Sequence, residues 1–203
     1  LKFKLKMKLR LKLKLKFKLG LFDDPFLYSN KRREENIFSS NLFDELATEA
    51  ASKSIVLLKN ENGLLPISSD KKIALIGPLA DDSDAPIGNW RAKGKESSAI
   101  SLLEGLKNNC DTKNLFYAKG CNLSIGPNNF FQELLINNSD TSGFSSAIEI
   151  ASNCDVVVMA LGETAFMSGE GRSRSNLDLP GIQKQLLKKI YEVNPNVVLV
   201  LMN

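Results

Sequence analysis

The stretch Asp155-Val-Val-Val-Met-Ala-Leu161 sets six apolar residues in a row without polar alternation. A strand with one wet face alternates, so an uninterrupted run of this kind needs cover on both faces. Three further stretches have similar character: Lys72-Ile-Ala-Leu-Ile-Gly77, Leu115-Phe-Tyr-Ala-Lys-Gly-Cys121 and Val197 to Met202. Between them, residues 98–108, 145–153 and 182–194 carry apolar residues at helical spacing. Strands of this type alternating with helices predict an α/β fold over residues 72–203, a doubly wound and mostly parallel sheet. The last strand runs into residue 203, where a further loop and helix are expected, so the sheet is expected to be incomplete at its C-terminus. In such sheets the ligand crevice lies beyond the carboxyl ends of the strands, which puts the loop 162–180 in the functional position.

Upstream, residues 20–71 read as a linker and connecting helix. Asp23-Asp24-Pro25 and the polar cluster from Ser29 to Glu35 mark a surface connection. A helix is predicted from Asn41 to Lys59, with Asn41 as N-cap, Asp44 and Glu45 in its first turn, and Asn62-Gly63 and Pro66 as the stop. Lys59 and Asn60 then belong to a helix end and a turn and are not ligands.

Residues 1–19 alternate Leu, Phe or Met with Lys or Arg, a period of two that reads formally as a strand; on a helix the same order scatters charge all round. Three accounts compete: a basic β-ribbon that meets anionic membrane or nucleic acid, a low-complexity tail, or a misassembled end of no biological meaning. A regular isolated strand is an aggregation hazard, so no function is placed on this segment and membrane contact is not expected of it.

The net charge of +4 hides a division. Nine of the 27 Lys and Arg residues lie within positions 1–19, leaving 18 basic against 23 acidic residues in the remainder. That acidic body excludes nucleic acid as a partner of the folded part, which would need a basic surface. Cys110, Cys121 and Cys154 show no paired spacing, so neither a metal site nor a dithiol is indicated. The chain has no histidine, which rules out Ser-His-Asp and Cys-His catalysis within it. Acid or base chemistry near neutral pH falls to carboxylates, Lys, Tyr or Cys. No apolar run approaches a membrane span.

The loop after the most apolar strand reads Met159-Ala-Leu-Gly-Glu-Thr-Ala-Phe-Met-Ser-Gly-Glu-Gly-Arg-Ser-Arg-Ser-Asn176. Glu163, Glu170, Arg172 and Arg174 place both signs of charge among Gly162, Gly169 and Gly171. Phosphate binding would use such glycines, but neither GxGxxG nor GxxxxGK[ST] is present and two carboxylates repel phosphate. Carbohydrate chemistry fits better, because a carboxyl on a Gly-flanked loop can reach a glycosidic oxygen while an arginine orients hydroxyls. From composition alone, a structural loop of internally paired charges is the competing account.

Residues 160–181 (ALGETAFMSGEGRSRSNLDLPG), 54–67 (SIVLLKNENGLLPI), 72–82 (KIALIGPLADD), 88–94 (GNWRAKG) and 18–26 (KLGLFDDPF) resemble glycoside hydrolase family 3, in its bacterial β-glucosidase branch. The five blocks occur in the family's order and cover the chain from about Lys18 onward. The resemblance implies a retaining β-glucosidase acting on terminal β-D-glucosyl residues. Its nucleophile would be an Asp on an N-terminal (β/α)8 barrel, and its general acid/base a Glu of the α/β sandwich domain. That Glu falls on Glu170. Glu163, at the strand end, is then a supporting carboxylate. Trp90 becomes a candidate wall for the aglycone, with a core position as the alternative. Arg172 and Arg174 become candidates for orienting substrate or Glu170, with pairing to Glu163 or Asp178 as the alternative.

The implied partners are a β-glucoside or oligosaccharide and the barrel domain. No cofactor or metal is implied, and the family's compartment is commonly periplasmic or extracellular. Barrel sequence is missing before residue 18, so the expectation is a fragment inactive by itself. Two other classes stay open: a non-catalytic sugar-binding or interaction module, and an inert fragment with a cationic tail.

Overall fold

The computed structural model describes residues 2–92, 94–95, 97–127, 129 and 132–203, so Leu1 of the alternating leader and Lys93 of GNWRAKG lie outside the described residues. Two compact units divide the chain, Leu1–Lys59 and Asn60–Asn203.

The first unit is helical: α1 spans Lys2–Lys18, α2 Lys31–Phe38 and α3 Asn41–Ser54. The formal strand period of the leader is therefore overridden. Leu, Lys, Arg and Met are all good helix formers, and a helix satisfies its own backbone groups, whereas a strand needs a partner. The consequence is a helix with no apolar face, on which Leu11 and Phe17 remain 72% and 69% exposed. In α2, the side chain of the N-cap Asn30 accepts from Arg33 N–H at 2.9 Å. The helix predicted over 41–59 is shorter at its far end, and its cap is Ser40 rather than Asn41. After Ser54 the β-branched pair Ile55-Val56 turns extended, and Ile55 to Leu58 stand between 66% and 79% exposed. Lys59 thus lies five residues past the helix, while Asn60 does close a turn, bonding Leu65 through both its amide atoms at 2.8 and 3.1 Å.

The second unit is an α/β domain. In chain order it runs β1 Ile73–Ile76, α4 Leu102–Asn109, β2 Leu115–Ala118, α5 Phe144–Ser152, β3 Val156–Gly162, α6 Gln183–Val193 and β4 Val197–Met202. All strand pairs are parallel, in the spatial order β2-β1-β3-β4. The second strand ends three residues earlier than its apolar stretch suggests, because the chain turns through Gly120 at φ +71°.

Side-chain parity decides the two faces. Ala74, Ile76, Val157, Met159 and Leu161 point to α5 and α6, where Ala147, Ala151, Leu186 and Ile190 are fully buried against them. Ile73, Leu75, Val158 and Ala160 point the other way, to Leu103 of α4 and to Leu79, Leu123 and Met167 of the loops. Every residue of β3 is buried, as its unbroken apolar run requires. Burying a Leu or Ile of this kind contributes about 1.5 to 3 kcal/mol each, so this strand and its neighbours hold the domain together.

Polar residues fix the ends of the layers. Asp155 accepts from Lys72 N–H at 2.8 Å, and its own N–H donates to Lys72 O at 2.9 Å, aligning the starts of β1 and β3. Asn194, after α6, donates to Ala151 O and Cys154 O at 3.0 and 2.8 Å and accepts from Asn196 N–H, so it ties the two helices of one face to the entry of β4.

At the carboxyl ends two glycines allow backbones to approach where no side chain fits. A Cβ on Gly77 (φ +134°) would lie 2.1 Å from Ala160 O, and one on Gly162 (φ +142°) 1.8 Å from Met202 O. Gly162→Ala and Gly77→Ala are each expected to destabilise the protein by on the order of 3 kcal/mol or more, combining an unfavourable φ with overpacking against backbone. Gly171→Ala, with φ +73° and open space around it, is expected to cost only about 1 to 2 kcal/mol. Urea midpoints of the three variants check the order.

Candidate active site

The chain passes from β1 to β2 on one side of the sheet, then to β3 on the other, so its switch point lies between the carboxyl ends of β1 and β3. The loops leaving those two strands, residues 77–101 and 163–182, meet there. They carry the candidate site residues Trp90, Glu163, Glu170, Arg172 and Arg174.

The base of the second loop is closed by Gln183, which periodicity alone left as an ordinary helix residue. It is 1% exposed. Its Oε1 accepts from Gly162 N–H at 2.9 Å, and its Nε2 donates to Gly162 O at 2.8 Å and Pro180 O at 3.0 Å. One side chain thus joins the residue before the loop to a residue at its end. Its burial comes from the folded chain, and no local pattern in the sequence marks it.

Glu163 begins the loop. Its N–H donates to Met202 O at 2.8 Å, extending the β3–β4 ladder by one bond, and its carboxylate pairs with the guanidinium of Arg174. Arg174 also donates to Asp178 O, so the far half of the loop is pinned back to the strand end. Arg172 reaches a third loop, donating to Gln132 O at 2.8 Å, while its N–H closes a turn on Gly169 O at 3.1 Å. Glu170 occupies that turn. It is exposed, and its neighbours Gly169 and Gly171 adopt φ +103° and +73°, conformations that favour glycine. The structure therefore brings Arg174 to Glu163 and gives Arg172 the role of anchoring the Glu170 turn to a neighbouring loop.

The first loop presents Trp90 with 71% of its surface exposed, which places it outside the core. Its neighbours are firmly held. Arg91 forms a two-pronged pair with Asp84, one arm at 2.8 Å, and stacks its guanidinium 4.9 Å from the ring centre of Phe166 in the other loop. Asp82 accepts from the N–H groups of Asp84 and Ala85 at 2.8 and 2.9 Å and so shapes the turn that offers Asp84 to the arginine. Asn89 donates to Ser168 O at 2.6 Å. Among the described residues, no three His, Cys, Asp or Glu side chains converge as a metal would require. No helix there is long and apolar enough to cross a membrane. Burial pushes the Cys121 thiol up to about 11, so this cysteine is an inert core residue at neutral pH.

The hydrogen bond from Arg91 holds the Asp84 carboxyl below the usual carboxylate range, partial burial opposing it. A carboxyl depressed in the folded state stabilises above its unfolded pKa and loses that contribution as pH falls through the folded value. The stability difference between the native chain and Asp84→Asn is therefore expected to stay level, at about 1 to 2 kcal/mol after screening, from neutral pH down to about 4. It then shrinks as the solution becomes more acid. Denaturant titrations across that range measure it.

Known proteins share this arrangement of sequence and fold. The profile of the Glycosyl hydrolase family 3 C-terminal domain matches residues 55–203. A periplasmic β-glucosidase of Salmonella typhimurium is 32% identical over 196 residues, 91% of this chain and 26% of that protein. A β-xylosidase of Formosa agariphila is 37% identical over 166 residues, 78% of this chain and 21% of its own length. Among solved structures, the β-glucosidase of Listeria innocua in complex with isofagomine superposes with a TM-score of 0.75 at 31% identity, over 93% of this chain and 24% of that one. The chain thus spans about a quarter of the length of these relatives. With the profile matching residues 55–203, through the α/β unit, the chain belongs to glycosyl hydrolase family 3, in the part that carries its C-terminal domain.

Proposed function

We propose that this domain supplies the general acid/base of a retaining β-glucosidase and that Glu170 is that group. One observation carries the proposal: Glu170 is an exposed carboxylate in a turn between two left-handed glycines, at the sheet's switch point, on a loop anchored on both sides of it. A general acid must reach out of its own domain yet return to one place, and a short free turn between fixed anchors meets both needs. Of the other loop carboxylates, Glu163 is engaged by Arg174, and Asp178 pairs with Lys184 at 3.0 Å. Both are better suited to holding the loop than to moving a proton.

On this assignment Glu170 donates its proton to the departing glycosidic oxygen while the nucleophile attacks the anomeric carbon. The resulting carboxylate then takes a proton from the water that opens the glycosyl-enzyme, which restores the acid. The nucleophile is assigned, by the family resemblance, to an Asp of the (β/α)8 barrel. The two carboxyl groups of a retaining pair stand about 5 to 5.5 Å apart, so the barrel partner docks over the carboxyl ends of β1 and β3. The substrate is a β-glucoside or a β-linked oligosaccharide, in keeping with the names of the relatives. The compartment is periplasmic or extracellular, as for the Salmonella enzyme. Carboxylate chemistry of this kind uses no cofactor.

The decisive experiment grafts residues 162–183 into the Listeria innocua β-glucosidase in place of its own segment. The graft with Glu170 is expected to hydrolyse cellobiose, and Glu170→Gln to lose about 10² to 10⁴-fold. The loss should be much smaller for the first step on an aryl glucoside whose leaving group needs no proton. Full activity of the Glu170→Gln graft on cellobiose would remove Glu170 from the mechanism. The 203-residue chain by itself is expected to show no turnover of an aryl β-glucoside.

A second function is favoured by the exposure of Trp90 alone: a sugar-binding module without catalysis, using the ring face as a platform. Calorimetric titration of the chain with glucose and cellobiose decides it. Saturable heat that disappears in Trp90→Ala supports binding, and flat titrations exclude it.

A further inference from the structure

The segment immediately before Glu170 and the residue immediately before Trp90 hold each other. Asn89 donates from Nδ2 to Ser168 O at 2.6 Å across 79 residues of sequence. Gly169, at φ +103°, lies so close to this amide that a Cβ there would stand 1.7 Å from Asn89 Nδ2 and 2.9 Å from its Cγ. Any other residue at 169 would push Asn89 away.

The amide has one workable orientation. Its Oδ1 is shielded from solvent and has no hydrogen-bond partner, the one such side-chain atom among the described residues. An orphaned acceptor of this kind has given up its hydration with no hydrogen bond to offset the loss. Turning the amide over would set Oδ1 against the Ser168 carbonyl, oxygen against oxygen, so the contact to Ser168 dictates the orientation. Two residues on, Arg91 adds a second tie by stacking on Phe166, and its bond to Asp84 keeps the guanidinium in place. The two loops are therefore joined at two points, and the Asn89 contacts sit within two residues of both candidate functional side chains.

We propose that Asn89 is a positioning residue that sets Glu170 and Trp90 as one unit through its contact with the Ser168–Gly169 backbone. This rests on the acid/base role assigned to Glu170. The unit would present a proton donor and an aromatic face at a fixed separation to the leaving-group side of the substrate, which suits a leaving group that is itself a sugar, with an apolar ring face to stack and an oxygen to protonate. Rotation of either loop alone would break that match.

Trp90 is the chain's single tryptophan, so its fluorescence reports on one loop while substitutions are made in the other. Four forms of the full 203-residue chain are compared: native, Gly169→Ala, Asn89→Asp, which keeps the shape but removes the donor, and the two together. Gly169→Ala is expected to lower the anisotropy of Trp90, which lies in the other loop. Asn89→Asp is expected to raise amide hydrogen exchange at Ser168 to Gly171 while β1 and β3 keep their protection, a local pattern that a general loss of stability does not produce. In the double variant the two effects should not add, because both break one contact. Unchanged Trp90 anisotropy in Gly169→Ala, additive effects, or exchange raised throughout the sheet each overturn the proposal. If Gly169→Ala does not fold, Asn89→Asp and Asn89→Ala carry the same comparison. Anisotropy and exchange do not depend on catalysis, so a failed acid/base role for Glu170 is read separately, in the grafted enzyme.

Discussion

Everything in the α/β unit depends on β3 being buried along its whole length. It bonds β1 on one side and β4 on the other, and its alternate side chains form the middle of both cores. A strand in that position has no solvent-facing residue, which is why it reads as an unbroken apolar run and why helices must cover it on both faces. The same constraint determines where chemistry can occur. Polar groups have no place along β3, so they collect where it ends, at Gly162, and the chain leaves the sheet there with its charges all in one loop.

A loop of that length would wander without anchors, and the anchors are polar and distributed. Gln183 joins its ends, Arg174 returns its second half to Glu163, Arg172 reaches Gln132, and Asn89 holds the segment before Glu170. The Gln183 bonds are buried and the others lie at the exposed rim, and each is worth roughly 1 kcal/mol, a charged one somewhat more. Their effect comes from spacing: they fall on either side of Glu170 and leave its own carboxylate uncommitted to any of them. The arginines, which the residue types alone made equally suitable for substrate or for loop, are used in this structure to hold the loop.

Family membership adds a scale to this arrangement. The chain matches about a quarter of each relative's length, and it carries a carboxylate turn at the carboxyl end of the sheet together with an exposed aromatic ring. A carboxylate offered at the surface on a hinge of glycines makes chemical sense if its counterpart comes from another domain. Retaining hydrolysis divides naturally in that way, since it uses two carboxyl groups with separate tasks, one attacking the sugar and one moving the proton of the leaving group.

Much of this was already legible in the residues. The four apolar stretches and the helical spacing between them specify a parallel sheet with two covered faces, because burial on both sides is the only way such strands avoid water. The run of glycines and carboxylates after β3 located the loop for the same reason. Other features depended on contacts between distant residues. The leader's period of two became a helix because no partner strand satisfies its backbone, and the helix begun at Asn41 ended at Ser54 where β-branched residues took over. Asn122 and Asn137 each stand two residues before a serine, yet Asn122 is exposed while Asn137 is 1% exposed, its amide bonded to Asn122 O and Asp140 O. Gln183, Asn89 and the choice of Glu163 for Arg174 were likewise decided by tertiary structure alone. Hydrophobic pattern is written locally because burial acts on each residue by itself, but a hydrogen bond needs two residues brought within about 3 Å, and only the folded chain determines which two.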